Sequence, residues 1–133
     1  MTVTRHNIPG QQPPPMSCHA TAARGTIVHI SGLVGSDATG AIVEGGLAAQ
    51  AEQAILNVLT ALGSAGASAD DLVKTTFYVV DWDPSKMEAL AIGGMAAQAK
   101  VPFPDAALTL IGVQSLFSPE MLIEIEAVAV VGD

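Results

Sequence analysis

The sequence predicts an α+β protein, a mixed β-sheet backed by two helices in a single domain over residues 1–133. Three observations carry this reading. β-Branched runs at Thr26 to Ile30, Leu72 to Val80 and Met121 to Val131 have strand character. Apolar residues recur at helical spacing from Leu47 to Leu62, and a second helix opens at Asp83-Pro84. Half of the 133 residues are hydrophobic while only one Trp, one Tyr and three Phe are present, so the core is aliphatic and closely packed.

Taken in order, Gln11 to Pro15 is extended, because each proline fixes φ and biases its predecessor away from helix. The strand Thr26 to Ile30 ends at Ser31-Gly32. Ser36 to Gly40 forms a turn, and Ala41 to Val43 is the returning strand. Leu47, Ala51, Ile55, Val58, Leu59 and Leu62 line one face of the first helix, which Gly63 and Gly66 end. Gly45-Gly46 lacks the Lys of a phosphate loop and reads as packing. Ser68 to Asp71 has capping-box spacing for one helical turn. After the strand Leu72 to Val80, Asp83 caps a helix that runs to about Lys100, closed by Pro102 and Pro104. Ala107 to Val113 and Met121 to Val131 are the last strands. Connections through helices allow parallel pairing and hairpins give antiparallel pairs, so the sheet is mixed. Two helices cover one sheet face, which leaves the other for self-association.

Thirteen acids against five basic residues give a net charge of -8, and the basic residues are scattered. Without a basic stripe, binding to a nucleic-acid backbone is not expected. Cys18 is the single cysteine, so no intrachain disulfide forms and a reducing compartment is favoured. No apolar run approaches the roughly 20 residues of a membrane span, and the N-terminus lacks signal-peptide features. The chain reads as cytoplasmic, with no membrane partner. Three histidines and one cysteine without ligand-like spacing indicate no metal site.

In the run Met121 to Val130, Glu124 and Glu126 fall on one side with Leu122 and Val128. A carboxylate among apolar neighbours loses solvation, and such groups are kept where a partner, an interface or a reaction uses them. The same pattern also fits an edge strand with a wet charged face. His19 is a candidate general base, or an exposed loop histidine. Cys18 beside it is a candidate nucleophile but reads more readily as a small buried group, since adjacent strand residues point to opposite faces. His29 reads as a structural histidine of a core strand.

Several segments in this order resemble the Rid superfamily (reactive intermediate deaminases, YjgF family). They are Ile27 to Gly32, Gly45-Gly46 with Ala49-Gln50-Ala51, Gly66-Ala67-Ser68, Asp70 to Lys74, Tyr78 to Asp81 and Leu122 to Val130. The resemblance covers the chain from about Pro15 onward. It implies a chorismate-mutase-like fold, a homotrimer around a β core, and ligand clefts between subunits. It also implies hydrolysis of enamines or imines to keto acids and ammonia, with no metal or organic cofactor. An Arg would hold the substrate carboxylate by paired hydrogen bonds, and a Glu would position the attacking water.

Carried over residue by residue, the water-positioning acid falls on Glu124 and the Ser-Gly pair on Ser31-Gly32. Leu108 takes the place of the Arg, or Ala106 if the alignment is shifted toward Pro104, and no basic residue follows Lys100. Cys18 takes the family's Tyr place, His19 its Ser place, and Glu88 the place of an early Asn in the second helix. The resemblance therefore keeps an acid and loses the anion clamp. It implies an atypical enzyme acting through Glu124 and His19, with Cys18, Ser31, Gly32, Glu88 and Leu108 toward the substrate. The alternative is a non-catalytic trimer that binds a metabolite or protein, and an RNase role fits poorly with the acidity. Standard deamination would need Arg24, or an Arg from a neighbouring subunit, to replace the clamp.

Overall fold

The computed structural model describes residues 3–133. Its strands and helices follow as β1 Thr4–His6, β2 Ser17–Cys18, β3 Ala20–Ala22, β4 Thr26–Val34, α1 Gly46–Ser64, β5 Leu72–Val80, α2 Met87–Lys100, β6 Ala106–Val113 and β7 Ile123–Val131. A five-stranded sheet has the order β2-β6-β5-β7-β4, and β1 pairs with β3 in a separate ribbon. β6 runs parallel to both β2 and β5, while β7 is antiparallel to β5 and β4. The sheet is therefore mixed, as the helical crossovers required.

Alternation along β7 decides where the core sits. Ile123, Ile125, Ala127 and Ala129 are buried, and they join Phe77 and Val79 of β5 beneath the helices. α1 contributes Ala51, Ala54, Ile55, Val58 and Leu62 to that layer, and α2 contributes Leu90 and Ala97. The helices approach closely at Gly93, where a Cβ would lie 2.5 Å from the Ala48 carbonyl oxygen. The opposite sheet face carries Glu124, Glu126 and Val128 from β7, Lys74, Thr76 and Tyr78 from β5, and Ile27, His29 and Ser31 from β4.

Four local features differ from the sequence reading. β4 does not stop at Ser31-Gly32 but bulges there, with a register shift between Ile30 and Leu33, and pairs on to Val34. Ala41 to Val43 forms no strand. Only a Ser36–Ile42 bridge is present, and Asp37 closes the turn by accepting from the Thr39 and Ala41 amides. The second helix begins at Met87, after a separate 3₁₀ turn Pro84–Lys86 in which the Asp83 carboxylate accepts from the Ser85 amide. The strands β1, β2 and β3 are additional. Gly45 and Gly46 have φ of 116° and 73°, so α1 starts from left-handed backbone that favours glycine. No helix among the described residues is long and apolar enough to cross a membrane.

Candidate functional site

Glu124 stands in β7 between Tyr78 of β5 and Val34 of β4. It is half-buried, on the face away from the helices. Its carboxylate rests against the β4 bulge, and a Cβ at Gly32 would lie 2.0 Å from Glu124 Oε2. Gly32 thus leaves the space that the acid fills, with exposed Ser31 beside it. No hydrogen bond from a described residue reaches the Glu124 carboxylate, which leaves its oxygens available to accept from another molecule.

Glu126, one step along the same face, is already engaged. The Tyr78 hydroxyl donates to Glu126 Oε1 at 2.5 Å. This bond to a carboxylate, with desolvation and the negative charges of Glu126 and Glu124, pushes the Tyr78 phenol above its ordinary value. The two acids thus differ in environment, with Glu126 holding a donor and Glu124 left open. Tyr78 was not a predicted site residue. Its position in the alternating run Leu72 to Val80 put it on the outer face, but its partner lies 48 residues away.

The remaining candidates lie elsewhere in the protomer. Leu108 pairs in register with Thr75 of β5 and turns toward the helices, into an apolar pocket with Met16, Phe77 and Phe103. Leu108 and Glu124 are therefore on opposite faces of one sheet. Cys18 is buried, and its thiol donates to the Ala20 carbonyl oxygen at 3.5 Å. His19 is half-buried between β2 and β3, and its Nδ1 accepts the Ile8 amide at 2.9 Å. That bond assigns the neutral ring its proton at Nε2. Glu88 is exposed in the first turn of α2. His29, read as part of a core strand, is exposed on the outer face instead. The structure unites Glu124, Ser31 and Gly32 and separates them from Leu108. Among the described residues, no group of three or more His, Cys, Asp or Glu could hold a metal ion.

Arg24, the proposed replacement clamp, is exposed just before β4, whose Thr26 faces Val131. Glu124 lies seven residues earlier in β7, roughly 23 Å away at the ordinary strand rise. Within one protomer Arg24 does not serve this site.

The sequence model of the family described as endoribonuclease L-PSP matches residues 11–131. A conserved Rid-family protein, YyfB from Yersinia pestis, has a similar solved structure, with 34% identity, TM-score 0.85, and 98% of this chain and 100% of that chain covered. The YjgF gene product of E. coli is 28% identical with TM-score 0.69, covering 93% of each chain. RidA from an Antarctic Psychrobacter is 27% identical with TM-score 0.66, covering 98% of this chain and 99% of that one. No curated protein matches the sequence.

Proposed function

Because the chain belongs to the endoribonuclease L-PSP family, the YjgF/Rid family, we propose that it acts on a small reactive metabolite, an imine, enamine or activated carbonyl, at clefts between subunits of a homotrimer. The observation that carries this reading is the contrast between two positions. Glu124 keeps an open carboxylate seated on Gly32, while the resemblance puts Leu108, or Ala106 on the shifted alignment, where the family's carboxylate-binding Arg is expected. An acid without an anion clamp suits water addition to a substrate other than a standard 2-imino acid.

For an imine, Glu124 takes a proton from water as the water oxygen bonds to the imine carbon, and the nitrogen gains a proton from solvent. The resulting carbinolamine loses ammonia as the C–N bond breaks and the carbonyl forms, with the hydroxyl proton returned to solvent. Glu124 passes its proton on to the leaving nitrogen and ends as it began. His19 would assist through Nε2, the nitrogen not occupied by the Ile8 amide, only if a neighbouring subunit brings it to Glu124.

One observation supports assembly through the outer sheet face, which carries Ile27 at 61% and Ile111 at 41% exposure. RNA cleavage is disfavoured despite the family's descriptive name, because a net charge of -8 repels a phosphate backbone.

Ammonia release from imines generated in situ by amine or amino-acid oxidases tests the reading, with sedimentation velocity for the trimer. Activity above the spontaneous rate that falls at least 100-fold in Glu124→Gln is expected. Full activity in that variant sinks the mechanism. A gain of 2-iminopropanoate hydrolysis in Leu108→Arg would support the scaffold's competence. The second reading, a non-catalytic binding trimer, is favoured by the engagement of Cys18 and His19 away from Glu124. Ligand-dependent thermal shifts without turnover would support it.

A further inference from the structure

We infer that Arg5, carried on β1 rather than β6, holds the carboxylate of a small ligand. This deepens the proposed function and rests on it only for the reaction done on the bound acid. Arg5 pairs with Thr21 across the β1–β3 ribbon. The Thr21 hydroxyl donates to the Val73 carbonyl oxygen at 2.6 Å, which lays the ribbon against the start of β5. From there Arg5 Nε donates to the Asp105 carbonyl oxygen at 2.5 Å, beside Ala106, the first residue of β6. The two β6 positions where the resemblance expects a clamp are Ala106 and Leu108, neither of which can bind an anion. Arg5 brings a guanidinium to that strand from another one.

This guanidinium is fixed but not satisfied. Arg5 is half-buried, and its Nη2 is buried without a hydrogen-bond partner. The oxygen that holds Nε is neutral, so the full positive charge stays in place. Among the described residues the one ion pair joins Lys100 to Glu52, and no acid pairs with Arg5. The chain around it is positive as well. No Asp or Glu precedes Asp37, while Arg5 and Arg24 are two of the five basic residues in a protein of net charge -8. A partly desolvated cation with an unmet donor is costly, and a carboxylate relieves both at once. With Nε taken, its two oxygens match the end-on pair Nη1 and Nη2. The exposed Asp105 side chain beside this contact disfavours a doubly charged phosphate. Ile111 and Glu124 both pair with Tyr78, and Asp105 lies six residues before Ile111. Arg5 therefore meets β6 roughly 20 Å from the Glu124 of its own protomer. The acid it holds reacts at the Glu124 of a neighbouring subunit, in the proposed clefts. The substrate is thus an acid anchored from β1, not one clamped by a β6 side chain.

Propionate and propionamide share one alkyl group and differ in charge, and inorganic phosphate supplies a second kind of anion. Titration of the full-length protein, followed by the NMR signals of Arg5 Nε–H and the Ala106 amide, should show propionate binding at least tenfold tighter than either. Arg5→Gln should weaken propionate at least tenfold, and Arg5→Lys, which keeps the charge without the fork, should restore only part of it. Equal or tighter binding of propionamide or phosphate by wild type overturns the inference. So does an Arg5 signal that propionate leaves unmoved, a test that needs no variant to fold. Arg5→Gln that binds propionate like wild type but no longer assembles in sedimentation velocity would assign the guanidinium to a neighbouring subunit and overturn it too. Imine turnover that requires Glu124 without propionate binding at Arg5 would keep the proposed reaction and overturn this inference. Propionate binding at Arg5 with no turnover of any imine would keep the anion site and remove the catalytic reading.

Discussion

Gly32 lies where any side chain would meet the Glu124 carboxylate, with a Cβ falling 2.0 Å from Oε2 and 2.7 Å from Cδ. Gly32 is not among the positive-φ glycines, so alanine is sterically acceptable to the backbone itself. The clash is with the far end of a flexible side chain, which can swing away. Gly32→Ala should therefore cost at most about 1 kcal/mol of stability while displacing the acid. Turnover should fall to nearly the level of Glu124→Gln at a melting temperature close to wild type. A variant with full turnover would mean that the observed seat of Glu124 is not the working one.

Tyr78 and Glu126 give a prediction independent of any substrate. Tyr78 is the one tyrosine of the chain, so its absorbance titration reports a single group. The bond to Glu126 favours the protonated phenol, and the titration midpoint should lie above the ordinary value near 10. Glu126→Leu removes both acceptor and charge and should lower it. The folded state holds this proton more tightly than the unfolded chain. Its stabilising contribution is thus present below about pH 10 and is lost as pH rises through the folded value. An unchanged midpoint in Glu126→Leu would contradict the observed pairing.

Much of the fold is legible in the chain because burial follows residue period. Ile123 and Ile125 alternate with Glu124 and Glu126, and the structure places the first pair under the helices and the second pair outside. The seam between β1 and β3 was not legible. Arg5 pairs with Thr21 across a loop of polar and proline residues, and neither three-residue strand carries alternation of its own. In the sequence the bulge at Ser31-Gly32 reads as a strand end, because glycine and serine mark both. The facing of Leu108 is set by its register with Thr75, a long-range relationship that residue order cannot reveal. Resemblance located the candidate positions along the chain, while register decided that Leu108 and Glu124 do not share a face.

Gln50 of α1 is 4% exposed and holds the approach to β7 from both sides. Its Nε2 donates to the Glu120 carbonyl oxygen at 3.0 Å, and its Oε1 accepts the Leu122 amide at 2.9 Å. Gln50→Leu fills the volume but strands two backbone groups, which should cost about 1–3 kcal/mol. Amide exchange at Leu122 should accelerate along with the fall in melting temperature. Unchanged exchange there would show that these backbone groups do not depend on Gln50.

The same substitution at two helical glycines should act in opposite directions. Gly93 of α2 meets α1, where a Cβ would lie 2.5 Å from the Ala48 carbonyl oxygen, 2.7 Å from Ala51 Cβ and 3.1 Å from the Glu52 amide nitrogen. Two of those three atoms are backbone, so Gly93→Ala must push the helices apart, at a cost of about 1–3 kcal/mol. Gly63, near the end of α1, has no atom within 4 Å of its added Cβ. Gly63→Ala there gains helix propensity, up to about 1 kcal/mol. Melting temperatures should therefore fall for Gly93→Ala and rise for Gly63→Ala, by roughly 3 °C or more per kcal/mol. A Gly93→Ala protein as stable as wild type would mean that the α1–α2 contact is looser than the structure has it.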